Sequence, residues 1–266
     1  MADPARIARA PRRPRRVGAR VFLATVTRTR QLTPHMRRLT LTAAEFSDYA
    51  PIGPDEYLGL LMPRDDEAPL RLPEEGGENI RAAVAEIPEH ERPDLRWYTL
   101  RAHRPAQREI DVDFVVHGDE GPGTRFALRA RIGSVLGVRE CTALYAALPE
   151  ASTRIIVGDE TALPAIARIL EDTSCDHTRV FIEIGDPADA QPLAGDVEWV
   201  LRGGDRPGDR LVAAVRDADL GARIDYAWVC GERLAVQEIR RHLVDHGVAK
   251  DRITFSGYWR VGEARL

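Results

Sequence analysis

The chain has 266 residues, enough for one large domain or two ordinary ones, each with a core of its own. Its 38 basic and 42 acidic residues leave a net charge of −4, which removes any whole-chain electrostatic case for nucleic acid or a membrane surface. No apolar run approaches the roughly 20 residues of a membrane span, and the cysteines (Cys141, Cys175 and Cys230) are too widely spaced for a disulfide framework or a metal knuckle.

That cysteine usage fits a reducing, cytoplasmic compartment. All the basic residues except Lys250 are arginine. The bias reports the base composition of the genome, so a single arginine carries little weight.

The chain opens on ARIARAPRRPRRVGAR, a basic stretch in which Arg15-Arg16 has the look of a twin-arginine export signal. The following VFLATVTRTR turns polar too soon to be its apolar segment. Residues 1–19 are expected to form a disordered basic arm or a trimmed leader, with contact to phosphate or lipid as the lesser alternative. Residues 20–148 form the first domain. Within it ARVFLATVTRTRQ, MRRLTLTAAEF, DEYLGLLMP, LRWYTLRAH, EIDVDFVVHG and GSVLGVRE alternate with period two and are bounded by Gly, Pro or Asp. Six such strands predict an antiparallel β-barrel or sandwich. The polar stretch between Arg64 and Pro93 interrupts them as an excursion or lid, with a short helix predicted in ENIRAAVAEI.

From residue 152 to 266 the rhythm changes. RIIVGDE, RVFIEIGD, VEWVLRGG, YAWVCGE and DRITFSGYW are predicted strands, and TALPAIARILED and ERLAVQEIRRHLVDHG are predicted helices. Strands separated by helices imply a small doubly wound parallel sheet covered on both faces. Such sheets bind ligands at the carboxyl ends of their strands.

Read as a strand, RWYTL projects Arg96 and Tyr98 from one face, about 6–7 Å apart. A guanidinium can grip a diphosphate through paired hydrogen bonds, and a tyrosine ring can stack on a planar heterocycle. An ordinary surface strand is the plain alternative. In GDEGPGTRF, Gly121 and Gly123 permit close backbone approach, and the amides near Thr124 open a helix, where phosphate is favoured. The same stretch also reads as a turn with Thr124 as helix cap. GDETALPA opens a helix directly after a strand, but Asp159 and Glu160 stand where a dinucleotide fingerprint has small residues. Those acids read equally well as helix N-terminal charges. Glu183 or Asp186, ending the second strand, suits a ribose 2′-hydroxyl, whereas Arg202 suits a 2′-phosphate. His242 and His246 are four apart on a helix, yet Leu243 stands where a zinc protease needs glutamate, so no metal site is expected.

RxYT, DFVVHGDEGPGT, VGDETALPAIARIL, WVCGE and SGYWR resemble, in this order, the siderophore-interacting flavoproteins of the ferredoxin reductase superfamily. The resemblance covers the chain from about Arg20. It implies an FAD-binding barrel over 20–148, an NAD(P)H-binding α/β domain over 152–266, and flavin-dependent reduction of Fe(III)-siderophores. Carried onto this sequence, Arg96 would neutralise the flavin diphosphate, Tyr98 would lie on the isoalloxazine and Thr99 would reach its N5 edge. His117, Gly121, Gly123 and Thr124 would hold the rest of FAD. Gly158, Thr161 and Ala162 would border the nicotinamide nucleotide, with Cys230, Gly231 and Glu232 on the same rim. A buried structural role for Cys230 is equally open. Tyr258 and Trp259 would cover the other flavin face. No general acid or base is obligatory, because the flavin carries the redox chemistry.

Relatives often carry Lys where this chain has Gly59, and a glycine-rich turn where it has VRECTALYA. The cations left for an anionic chelate are Arg125 and Arg260, with Lys250 and Arg101 as weaker candidates. A flavoenzyme acting on an organic metabolite and a non-enzymatic siderophore carrier are the alternatives.

Overall fold

The computed structural model describes residues 14, 16–66, 69–73, 79–116, 121–146, 151–174 and 177–263. The first half builds seven strands: β1 (Val21–Thr33), β2 (Met36–Thr42), β3 (Tyr57–Met62), β4 (Asp94–Thr99), β5 (Ala102–Arg104), β6 (Glu109–Val115) and β7 (Val135–Glu140). They pair antiparallel in the order β4-β3-β7-β1-β2-β6-β5. The predicted strand LRWYTLRAH is therefore two strands. The step between them closes the barrel, because Leu100 N donates to Glu56 O at 2.8 Å and Arg101 N to Asp111 O at 2.9 Å.

Alternation decides what the barrel encloses. Leu58, Leu60 and Met62 of β3 point into a core shared with Leu39, Leu41, Val112 and Phe114. Leu61 points the other way and is still fully buried, since the helix α1 (Ile80–Ala85) lays Ile80 and Val84 over it and Leu95. That cover explains why YLGLLM is apolar without a break. Asn79 starts α1 by accepting a hydrogen bond from Ala82 N at 3.2 Å.

Of the stretch expected as a basic arm, Arg16 is described and is packed on the barrel. Arg16 lies over the Tyr49 ring at 4.5 Å and donates to the buried Glu56 at 2.8 Å and to Ala50 O at 2.7 Å. Arg16 gives this fully buried carboxylate a cation, supplied from 40 residues upstream. Residues 1–13 and 15 of the expected arm lie outside the described residues.

The second half is a five-stranded parallel sheet of β8 (Thr153–Asp159), β9 (His177–Ile184), β10 (Val197–Leu201), β11 (Tyr226–Glu232) and β12 (Ile253–Trp259), ordered β10-β9-β8-β11-β12. Helix α3 (Leu163–Asp172) covers one face, packing Leu163, Ile166 and Ile169 on Ile156, Ile182 and Trp228. Helices α4 (Asp209–Asp217) and α5 (Arg233–Asp245) cover the other through Leu211, Val215, Val236 and Ile239. Strand order reverses between β8 and β11, so the ligand crevice of this sheet type falls where Gly158 faces Cys230 in register.

Several contacts among the described residues join the halves, including one from Arg168 on α3 to Leu100 O at 3.0 Å. The Asp55 carboxylate, buried just before β3, accepts from Leu144 N and Tyr145 N at 2.9 Å and from the Trp228 indole at 2.8 Å. Asp189 accepts from the Thr33 hydroxyl and His35 N, and meets His35 Nδ1 at 2.7 Å. Arg101 forms a two-pronged pair with Glu171 on α3.

Candidate active site

Strand β4 lines up Asp94, Arg96 and Tyr98 on one face, and helix α2 (Pro122–Arg129) runs along that row. The Tyr98 ring lies 4.2 Å from Phe114, and its hydroxyl reaches Gly123 so closely that a Cβ there would stand 1.6 Å away. The close approach that Gly123 permits is thus to Tyr98. Phe114, which sequence reasoning overlooked, was signalled by the inward phase of EIDVDFVV.

Arg96 is half-buried. Among the described residues it makes one hydrogen bond, to its neighbour Leu95 O at 2.8 Å. Burial pushes its guanidinium below the usual arginine range; Asp94 and Tyr98 oppose this, while Arg125 and Arg81 add like-charge repulsion. Beside it, α2 begins on Gly121, an extended residue without a side-chain cap, and its first helical bond is Arg125 N to Gly121 O at 2.9 Å. The N–H groups of Gly123 and Thr124 precede that bond. Thr124 is buried, with its hydroxyl on Val115 O at 3.2 Å. A desolvated cation among other cations, next to a helix start, fits a bound diphosphate. Thr99 is buried at the end of β4, and His117 lies outside the described residues.

At the switch point the geometry reassigns several residues. Gly158 is required by packing, since a Cβ would come within 2.7 Å of Ala162 Cβ and 2.9 Å of Cys230 O. Asp159 is the hub of the rim. One oxygen accepts from Thr161 N at 2.9 Å and from its hydroxyl at 2.5 Å; the other accepts from Glu232 N at 2.7 Å and the Trp259 indole at 2.8 Å. Gly231, at φ +144°, lets the chain pass over that carboxylate. Burial, helped by neighbouring Glu160, pushes Asp159 up to about 6 against the pull of its hydrogen bonds. Glu232 caps α5 by accepting from Leu234 N and Ala235 N.

Cys230 is buried and hydrogen-bonded to the Tyr258 hydroxyl, whose own ring meets Trp228 edge-on at 6.4 Å. The thiol is therefore a packed part of the sheet end. Glu183, expected to meet a ribose, is fully buried; its oxygens accept from Arg202 Nε, Gly208 N and Leu211 N. It starts α4, a helix the sequence reading missed behind the turn-rich GGDRPGD.

The cations expected at the substrate do not form one group. Arg125 is 3.9 Å from Asp94, beside the diphosphate row, and Arg260 extends from the carboxyl end of β12, paired with Glu263. Lys250 precedes β12 at its opposite end, so the seven residues of that strand, roughly 20 Å, lie between it and the rim. That separation removes it from the rim. Gly59 has Arg139 beside it on β7 in direct register. Of the two histidines four apart, His242 lies on α5 and His246, just past its end, turns its ring to Gly221 O at 2.8 Å.

Residues 25–142 match the family model of the siderophore-interacting FAD-binding domain, and residues 151–262 match that of the siderophore-interacting protein. The crystal structure of a siderophore utilization protein from T. fusca superposes with a TM-score of 0.82 at 30% identity, covering 96% of this chain and 98% of that one. Ferric vibriobactin reductase ViuB of Vibrio cholerae is 30% identical over 244 residues, 89% of this chain and 88% of that protein. The FAD apo form of the ferredoxin reductase in carbazole 1,9a-dioxygenase shares the fold alone, at 14% identity and a TM-score of 0.63 over 91% of this chain and 66% of that one. The sheet topologies, the anion-ready edge of the barrel and these likenesses agree: the chain belongs to the siderophore-interacting proteins, with an FAD-binding barrel ahead of a ferredoxin reductase-like α/β domain.

Proposed function

We propose that the protein is a cytoplasmic, flavin-dependent NAD(P)H oxidoreductase that reduces ferric siderophores. The observation that carries this reading is Arg96, a desolvated guanidinium without a carboxylate to hydrogen-bond among the described residues, set beside an uncapped helix start. The name of the Vibrio relative, a ferric vibriobactin reductase, supports the choice of acceptor. The buried thiols of Cys141 and Cys230, neither of them in a disulfide among the described residues, suit a reducing compartment.

In this reading Arg96 and the amides of Gly123 and Thr124 would hold the diphosphate of FAD beside β4. Flavin, when bound, supplies the conversion of a two-electron donor into a one-electron donor. The α/β rim brings the reductant, with Asp159 fixing the turn at Gly231 and holding Trp259 across the end of β11. Arg125 and Arg260 are the cations left to draw in an anionic chelate.

Anaerobic NADH or NADPH should bleach the bound flavin, and ferric chelates should speed its reoxidation in stopped flow. A flavin that reduces but is indifferent to every chelate tried would reject iron as the acceptor. A protein without flavin would reject the enzyme altogether.

A further inference from the structure

The carboxyl ends of β8, β9 and β10 bring together Glu160, Glu183 and Arg202, which are 23 and 19 positions apart in sequence. Arg202 Nε donates to Glu183 at 2.9 Å, and its Nη2 donates to both oxygens of Glu160 at 2.7 Å. All three side chains are largely withdrawn from water: 17% of Arg202, 13% of Glu160 and none of Glu183 is exposed. Burial alone would lower the arginine; the hydrogen bonds and charges of the two glutamates outweigh it and hold the guanidinium above its ordinary range. Arg202 is thus a cation already matched by two carboxylates, so the trio has a net negative charge. Arg210, close by beyond β10, is itself paired with Asp205.

In doubly wound sheets the end of the second strand is where the adenosine ribose is read. An acid there accepts from a 2′-hydroxyl, and a nearby arginine accommodates a 2′-phosphate. Glu183 occupies the position of that acid, yet it is sealed inside by the amides of Gly208 and Leu211. Glu160 is the carboxylate of the trio that retains some exposure. We infer that Glu160 sets coenzyme choice, by neutralising Arg202 and presenting negative charge to the ribose, so that the site takes the dinucleotide without a 2′-phosphate. A phosphate there would lie against Glu160, with Glu183 behind it, and meet an arginine with no charge to spare; like-charge contacts of this kind reject a wrong partner strongly.

This inference rests on the nicotinamide-nucleotide reading, and NAD+ against NADP+ tests both. The two oxidised coenzymes differ only in the 2′-phosphate and bind without transferring hydride. Calorimetric titration of the flavin-loaded protein should show NAD+ binding about tenfold or more tightly than NADP+. Glu160→Gln keeps the shape and releases Arg202 from one of its two charges. It should shrink that ratio several-fold, chiefly by strengthening NADP+ binding. Glu160→Lys, which reverses the charge, should weaken NAD+ binding more steeply than NADP+ binding relative to wild type. Preference of the wild type for NADP+, or a ratio untouched by both substitutions, overturns the inference and leaves the oxidoreductase reading standing. Absence of binding by either coenzyme brings down the nucleotide reading and this inference together.

Discussion

Two half-buried arginines in this molecule have opposite circumstances. Arg96 in the barrel hydrogen-bonds only a neighbouring carbonyl among the described residues, and its guanidinium is held below the usual range by burial. Arg202 in the α/β domain is clasped by Glu160 and Glu183 and is held above it, although burial pulls the other way. The residue type is the same, so the difference lies in what the fold supplies. A cation left without a carboxylate in a desolvated place is a receptor for an anion, whereas one already matched is part of the scaffold.

Replacing each arginine by alanine should separate the two roles. Arg96→Ala should have the largest effect, weakening FAD about 100-fold while the unfolding midpoint of the apoprotein stays near wild type. Flavin fluorescence on dilution and urea denaturation read the two quantities separately, and full retention of FAD would end the contrast. Arg202→Ala should do the reverse, keeping flavin but costing about 3 kcal/mol of stability, because Glu183 would remain buried without its cation.

The smallest effect concerns Asp159, a buried carboxylate with four donors and no arginine. Its proton is held more tightly in the folded chain, at about 6 against an ordinary 3.8. Its contribution to stability is therefore complete below about pH 4 and is lost as pH rises through about 6. Relative to Asp159→Asn, the wild type should lose stability across that window with a slope of at most about 1.4 kcal/mol per pH unit. Parallel urea midpoints for the two proteins between pH 4 and 7 would remove Asp159 from the account.

What could be read from sequence was whatever repeats locally. Alternation located β1, β2, β3, β6 and β7, and apolar runs between turn residues located all five parallel strands. The pairing of Arg96 and Tyr98 on one face of β4 follows from the same period. Roles fixed by distant partners were out of reach. Nothing near Arg16 announces Glu56, and nothing in RGGDR announces that Arg202 turns back to β8 and β9. Lys250 shows the converse error: close to GYWR in sequence, it is set apart by the full length of β12. At Gly123, read from sequence for close approach of a ligand, the group the missing side chain makes room for in the structure is the Tyr98 hydroxyl.

Asp55 bears on how the machine can move. Its carboxylate is held at once by the chain leaving the barrel and by an indole in the middle of the parallel sheet. Swinging the halves apart would give up the hydrogen bonds of that buried carboxyl group, whose proton burial holds more tightly than usual. One buried side chain thus ties the barrel, the chain leaving it and the centre of the parallel sheet to one another, while the Trp259 indole leans on Asp159 at the rim.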